Sequence, residues 1–204
     1  MARDQLTTKG AATRQRIVAG AAALIRAQGV EHVGLDDIRS ATATSKSQLF
    51  HYFPAGRGDL LRAVAAHETA AVLADQQPFL NQLGTTETWT AWREVIVRKY
   101  AEQGDRCPLT ALTRQLSPSD PGIRPIVAEL LTEWHRRLAD GVRCSQQLAV
   151  VDRALDPNAA AASILAAVQG GVVLMQATGD VGYLEHALDT ALAATGLTHE
   201  ASQR

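Results

Sequence analysis

Residues 35–57 read Leu-Asp-Asp-Ile-Arg-Ser-Ala-Thr-Ala-Thr-Ser-Lys-Ser-Gln-Leu-Phe-His-Tyr-Phe-Pro-Ala-Gly-Arg. This stretch predicts two short helices joined by a tight turn. The first helix starts with two aspartates, whose charge complements the positive end of the helix dipole. The second starts at Ser45, because Ser45 and Gln48 have the spacing of a capping box, and it ends before Pro54. A pair of short helices at this spacing is typical of a helix-turn-helix unit.

The second helix has one apolar side and one polar side. Leu49, Phe50 and Phe53 are expected to face inward and hold the helix to its unit. On the polar side, Gln48 suits a bidentate contact to adenine, and Lys46 suits guanine or phosphate. His51 is open to two interpretations, a DNA contact or packing within the unit. The predicted DNA-contacting residues of the turn and second helix are Thr44, Ser45, Lys46, Ser47, Gln48, His51 and Tyr52.

Charge is unevenly distributed along the chain, although the formal net charge is only −1. Residues 1–62 contain nine lysines and arginines against five acidic residues, a net charge of +4. The remaining residues contain eleven basic and sixteen acidic residues, a net charge of −5. A basic first third fits a DNA-reading head, because phosphate neutralisation needs only local positive charge, although random unevenness explains the numbers as well.

The rest of the chain predicts an all-α fold, since alanine is abundant and no strand-like alternation occurs. The expected architecture is an N-terminal three-helix head, residues 1–56, followed by a C-terminal helical bundle that dimerises, residues 57–204. Apolar periodicity and breaks at Gly and Pro predict helices at 13–28, 36–42, 45–53, 57–77, 86–103, 108–116, 122–148, 157–178 and 180–195.

Residues 12–64 resemble the DNA-binding unit of TetR-type transcriptional repressors. The resemblance is carried by Arg16-Ile17 through Ala21, Leu24, Ile25 and Gly29, by Asp37-Ile38, by Ser45-Lys46 with the block Leu49 to Pro54, and by Leu60-Leu61. It implies a homodimeric, ligand-responsive regulator that binds a palindromic operator on double-stranded DNA, most often as a repressor. The spacer Pro54-Ala-Gly-Arg57 resembles that of the LmrA and YxaF subgroup, and this resemblance implies a phosphate contact from Arg57. The alternative is that Arg57 is a solvated surface charge.

The sequence departs from the family pattern in three ways. Val33-Gly34-Leu35 stand where Thr or Ser usually precedes the second helix, which removes a hydroxyl contact to phosphate. Ala43 occupies the turn position usually held by Gly, and Thr44 the position usually held by Val. We therefore expect a strained turn or altered operator contacts.

Aromatic residues outside the head are concentrated between positions 79 and 134. They line a pocket for a small hydrophobic or aromatic effector in one interpretation, and they fill the core in the other. Cys107 is either a thiol sensor or a buried inert thiol. The predicted pocket residues are Phe79, Trp89, Trp92, Tyr100, Cys107, Trp134 and Met175.

Two apolar stripes near the C-terminus predict a dimer interface, in which two helices from each subunit form a four-helix bundle. The alternative is an intramolecular core. The predicted interface residues are Ile164, Val168, Val172, Leu184, Leu188 and Leu192.

The sequence also argues against several classes of protein. We expect no export signal and no membrane span, because the N-terminus lacks an apolar stretch and no run reaches 18 apolar residues. Two distant cysteines, Cys107 and Cys144, predict neither a zinc site nor a disulfide framework and fit the cytoplasm. No metal or cofactor site is expected. No catalytic motif is present, so an enzyme or a ligand carrier without DNA binding is the less favoured alternative.

Overall fold

In a computed structural model of the chain, residues 7–107, 110 and 121–198 are described. These residues contain eight α-helices and no strand. The helices are α1 Thr8–Gln28, α2 Leu35–Ala41, α3 Lys46–Tyr52, α4 Arg57–Ala74, α5 Thr86–Gln103, α6 Ile123–Gln147, α7 Pro157–Thr178 and α8 Gly182–Ala194. The all-α prediction is confirmed, and the helix predicted at 108–116 lies outside the described residues apart from Thr110.

The chain divides into two compact units. The first contains the described residues of 1–71 and 106–128, and the second those of 72–105 and 129–204. Both α4 and α6 contribute residues to each unit. The division of function at residue 56 remains a prediction, because these packing units do not coincide with it.

In the first unit, α1 to α3 and the start of α4 surround a core of aliphatic side chains and Phe53. Gly20 allows α1 to lie close to the turn after α2. A Cβ at this position would lie only 2.3 Å from Cγ2 of Thr42 in that turn. An ion pair between Arg26 of α1 and the buried Glu68 of α4 joins the two longest helices of this unit. The fully buried core side chains include Ile17, Ala21, Ile25, Ile38, Leu49, Phe53 and Leu60.

In the second unit, α5, α6, α7 and α8 surround a core that includes three fully buried tryptophans. Asp156 caps α7 by accepting from the Asn158 N–H at 2.9 Å, and Gly179 ends the helix at a φ of +76°. Helix α8 then packs along α7. A Cβ at Gly171 would lie 2.7 Å from Cα of Leu184, so only glycine permits this spacing.

Helix α7 is long and apolar enough to cross a membrane, with a mean hydropathy of 1.6 over its best window. Length and composition alone are weak evidence, since core helices of water-soluble proteins pass the same test. Only 39% of that window is buried inside the chain. Much of this apolar helix is thus left uncovered by the residues that the structure describes.

Candidate nucleic-acid interface and ligand-binding body

Helix α3 is held by the capping box that its sequence predicts. The Ser45 hydroxyl accepts from the Gln48 N–H at 3.1 Å, and the Gln48 side-chain oxygen accepts from the Ser45 N–H at 3.2 Å. These bonds satisfy backbone donors at the first turn of the helix. The Gln48 oxygen, which the predicted bidentate adenine contact also needs, thus already accepts one hydrogen bond within the cap.

The exposed face of α3 is polar and carries positive charge. Lys46 makes no hydrogen bond or ion pair with any residue in the described part of the chain. The His51 and Tyr52 rings meet edge to face, with centroids 4.9 Å apart, and leave His51 exposed. Of the predicted contact residues, those with exposed side chains are Ser45, Lys46, Ser47, Gln48 and His51, and Tyr52 is half-buried.

Thr44 was predicted to contact DNA, and its position in the structure contradicts this prediction. Its side chain is only 5% exposed, and its hydroxyl lies 2.9 Å from the Thr42 hydroxyl and donates to the Thr42 carbonyl at 3.1 Å. A buried hydroxyl with partners inside the turn does not reach a phosphate or a base. The turn around it is strained, since Ala43 has a φ of +46°.

Arg57 was expected to contact a phosphate, and the structure gives it other partners. Its guanidinium donates to the carbonyl of Val33 at 2.5 Å and to that of Val30 at 2.6 Å. These bonds hold the segment before α2 against the start of α4. Arg57 thus has a structural role in place of the expected phosphate contact.

Phe50 was expected to face inward, and this expectation is wrong. Its side chain is 41% exposed, beside the polar residues of α3. Leu49 and Phe53, which are four residues apart and so lie close together around the helix, fill the inward positions, whereas Phe50 lies at the edge of this side.

Concave space also occurs between α2 and the start of α3, and the sequence analysis assigned no role to Asp36, Arg39 or Ser40 there. A groove of about 560 Å³ is lined by Asp36, Arg39, Ser40, Ala43, Thr44 and Ser45. Arg39 donates to the Asp36 carboxylate at 2.5 Å. The groove adjoins Ser45, the cap of α3, and so lies at the edge of the exposed face.

The aromatic residues of the second unit are mostly satisfied core residues. Trp89 and Trp92 meet edge to face at 5.8 Å. The indole N–H of Trp89 donates to the Ser145 hydroxyl, and that of Trp92 to the Gln76 side-chain oxygen, both at 3.0 Å. Of the other predicted pocket residues, Tyr100 and Met175 are buried and Phe79 is half-buried, while Cys107 is fully buried in the first unit.

One small cavity adjoins this aromatic core. Its volume of about 20 Å³ holds roughly one water molecule, far below the several hundred Å³ of a typical ligand pocket. Tyr100 lines it, together with the Asp75 and Lys99 pair. Trp134 differs from the other tryptophans, because its buried indole N–H has no acceptor among the residues that the structure describes.

The predicted dimer stripes are wrong as an interface. All six side chains, Ile164, Val168, Val172, Leu184, Leu188 and Leu192, are buried inside the chain, where α7 and α8 pack together. The exposed large apolar side chains lie on other faces of these helices, at Val173, Leu174 and Tyr183, which are 58%, 48% and 45% exposed. The sequence did contain a signal for this exposed apolar surface. Helix α7 is apolar on more than one face, whereas packing within the chain requires only one apolar face.

Family comparisons agree with this arrangement. The model for "Tetracyclin repressor-like, C-terminal domain" matches residues 85–191, more than half of the chain. The model for "Bacterial regulatory proteins, tetR family" matches residues 17–64. The chain belongs to the TetR family. As a TetR-family helix-turn-helix protein it is a transcriptional regulator and not an enzyme.

Individual relatives share the length and the fold of this TetR-family chain. An HTH-type transcriptional regulator in the lacX 3′ region of Lactococcus lactis is 26% identical over 184 residues, which cover 87% of this chain and 90% of the relative. A TetR-family regulator from Cytophaga hutchinsonii superposes with a TM-score of 0.76 at 19% identity, covering 94% and 98% of the two chains. The SmeT–triclosan complex superposes at 0.71 and 19% identity, covering 90% and 91%.

Proposed function

We propose that two copies of this regulator bind a palindromic operator through paired α3 helices and release it when a small molecule binds the second unit. The observation that carries this proposal is the polar, basic face of α3, where Ser45, Lys46, Ser47, Gln48 and His51 are exposed together. A recognition helix needs a buried side that fixes it and a polar side free to enter the major groove. Helix α3 has both.

Dimerisation is supported by the exposed apolar side chains of the last two helices. Val173, Leu174 and Tyr183 leave a patch that a second copy of the chain would cover. Small residues on the same outer face of α7, including Ala166 and Gly170, permit close approach of a second helix. A two-fold pair presents two heads, which matches the two half-sites of a palindrome about 34 Å apart.

The effector is proposed to be a small hydrophobic or aromatic molecule with a hydrogen-bond acceptor. Trp134 supports this chemistry, because a buried indole N–H without an acceptor is costly and a ligand acceptor would satisfy it. The SmeT–triclosan complex, whose fold this chain shares, contains a small aromatic ligand. Ligand binding would favour a head spacing that no longer fits two successive major grooves, with α4 as the lever since it contributes to both units.

The finer assignments rest on the sequence. The Pro54-Ala-Gly-Arg57 spacer supports the LmrA and YxaF subgroup, although Arg57 makes protein contacts in place of the expected phosphate contact. Repression is proposed over activation because most members of the family repress. A cytoplasmic location is proposed because Cys107 and Cys144 lie far apart in the sequence and predict no disulfide framework.

The test is footprinting with DNA that flanks the coding region of the chain. We expect one protected site with two half-sites about one helical turn apart, released by an effector found by thermal-shift screening. A protein that protects no site on these fragments, and that turns over a small molecule without DNA affinity, would favour the enzyme or carrier alternative.

A further inference from the structure

The groove between α2 and the start of α3 contains a charge pair beside the proposed recognition helix. Arg39 Nη1 donates to Asp36 Oδ1 at 2.5 Å. Asp36 is the more exposed partner, with 89% of its side chain accessible against 33% for Arg39. Both side chains line the groove that also contains Ser45, the cap of the recognition helix.

In a helix-turn-helix, the first helix crosses the DNA backbone while the second enters the major groove. A carboxylate on the exposed edge of α2 then lies towards phosphates, where its charge opposes binding. An arginine at the same edge favours binding through charge and bidentate geometry. The Asp36 carboxylate takes the Arg39 guanidinium as its only hydrogen-bond partner within the described residues, so the two effects are coupled.

We infer that Asp36 attenuates DNA affinity by holding Arg39 away from the backbone phosphates, and that Arg39 is a phosphate-binding residue once released. The inference rests on the proposed DNA-binding mode and adds a residue pair that tunes its strength. Few interactions oppose release. Arg39 Nε is buried without a hydrogen-bond partner in the described part of the chain, so rotation of the guanidinium gives up only the pair with Asp36 and no other side-chain hydrogen bond.

We expect α2 to stay folded when Asp36 is replaced. The helix is capped by Asp37, whose Oδ2 accepts from the Gly34 N–H at 2.8 Å, and Asp36 takes no part in that bond. An exposed ion pair three residues apart on one helix contributes little to folding stability. Asp36→Asn keeps the size of the side chain and removes its charge.

The experiment measures binding of a labelled random-sequence duplex, long enough for two heads, by fluorescence anisotropy between about 50 and 200 mM salt. Four chains are compared: the unchanged protein, Asp36→Asn, Asp36→Asn with Arg39→Ala, and Glu94→Gln. Glu94 is exposed on α5, so Glu94→Gln controls for the loss of one negative charge elsewhere in the chain. Thermal unfolding of each chain confirms that it is folded.

We expect Asp36→Asn to bind more tightly and to steepen the slope of log K against log salt by about 0.9 per head, one additional phosphate contact. The ratio of its DNA affinity to that of the unchanged protein should then fall about 3.5-fold per head between about 50 and 200 mM salt. Adding Arg39→Ala should remove the gain, and Glu94→Gln should match the unchanged protein.

Three results would overturn the inference. A slope for Asp36→Asn equal to that of Glu94→Gln would show that no contact is gained, and weaker binding would place Asp36 on a base or in the fold. A gain that survives Arg39→Ala would exclude Arg39 as the phosphate ligand. If the unchanged protein shows no salt-dependent binding at all, the proposed function itself fails, which is a separate outcome.

Discussion

The guanidinium of Arg57, at the start of α4, donates to the carbonyl oxygen of Val33, just before α2, at 2.5 Å. A second bond, to the Val30 carbonyl, makes Arg57 a tie between the segment before α2 and the helix after α3. The guanidinium that was expected to contact a DNA phosphate therefore binds the protein backbone.

Arg57→Ala is predicted to lower the free energy of unfolding by about 1.5–3 kcal/mol, because two backbone carbonyls lose a charged donor. Urea denaturation measures this loss. The slope of DNA affinity against salt should stay the same for the folded fraction of the variant. Unchanged stability together with a shallower salt slope would restore the phosphate contact and contradict the structural role.

Ala43→Gly is predicted to stabilise the protein by about 0.5–1 kcal/mol. Ala43 has a φ of +46°, a left-handed conformation that costs an alanine about 1–2 kcal/mol and a glycine much less. The matched control is Ala12→Gly on the exposed side of α1, which should lower stability by about 0.5–1 kcal/mol. Both changes are read from urea midpoints, and equal destabilisation by the two variants would argue against a strained turn.

Much of the fold is encoded in local patterns, and these were predictable. The capping box at Ser45 and the break at Pro54 defined α3 from the sequence, and Gly179 correctly marked the end of α7. The helix predicted from residue 13 in fact begins at Thr8, because the Thr7 hydroxyl accepts from the Gly10 N–H, a weak cap in a polar segment without an apolar pattern.

Partner choice within the fold was not predictable in the same way. Periodicity shows that α7 and α8 have apolar stripes, but it does not show whether a stripe meets its own chain or a second copy. Gly171 decides the question here, because its contact with Leu184 brings the buried stripes together within one chain. Similarly, the residue types of Thr44 and Arg57 fit a DNA contact, and only their geometry shows that both are bonded within the protein.

Val173→Arg is predicted to convert a dimer into a monomer. The Val173 side chain is 58% exposed within one chain, and a charge buried there without a partner opposes association. Leu148→Arg is the control, since Leu148 is also largely exposed but lies just after α6. Sedimentation analysis should give a monomer for the first variant and a dimer for the second. A dimer in both cases would place the interface elsewhere.

Glu133 is predicted to stabilise the second unit in a pH-dependent manner. Hydrogen bonds from Arg136 and Arg137 lower the pKa of its carboxyl from 4.5 to about 2. Because the pKa is lowered in the folded state, this stabilisation is complete above about pH 4.5 and is lost as the pH falls towards 2. The contribution is modest, since Glu133 is partly exposed and solvent screens its charge.

The measurement compares Glu133→Gln with the unchanged protein by urea denaturation between pH 7 and about pH 3. The variant should be less stable at pH 7, and the difference should shrink as the pH falls. Glu129→Gln, an exposed position one turn earlier on α6, should show no such trend. A difference that is constant with pH would contradict the arginine pairing.

The exposed face of α3 as the DNA-reading surface is tested most directly by the salt dependence of binding in Lys46→Ala. The slope of log K against log salt on random-sequence DNA should become shallower by about 0.9 per head, with weaker binding across sequences. Arg98→Ala, which removes the same charge from the exposed side of α5, should leave the slope unchanged. Equal slopes for Lys46→Ala and the unchanged protein would contradict the account.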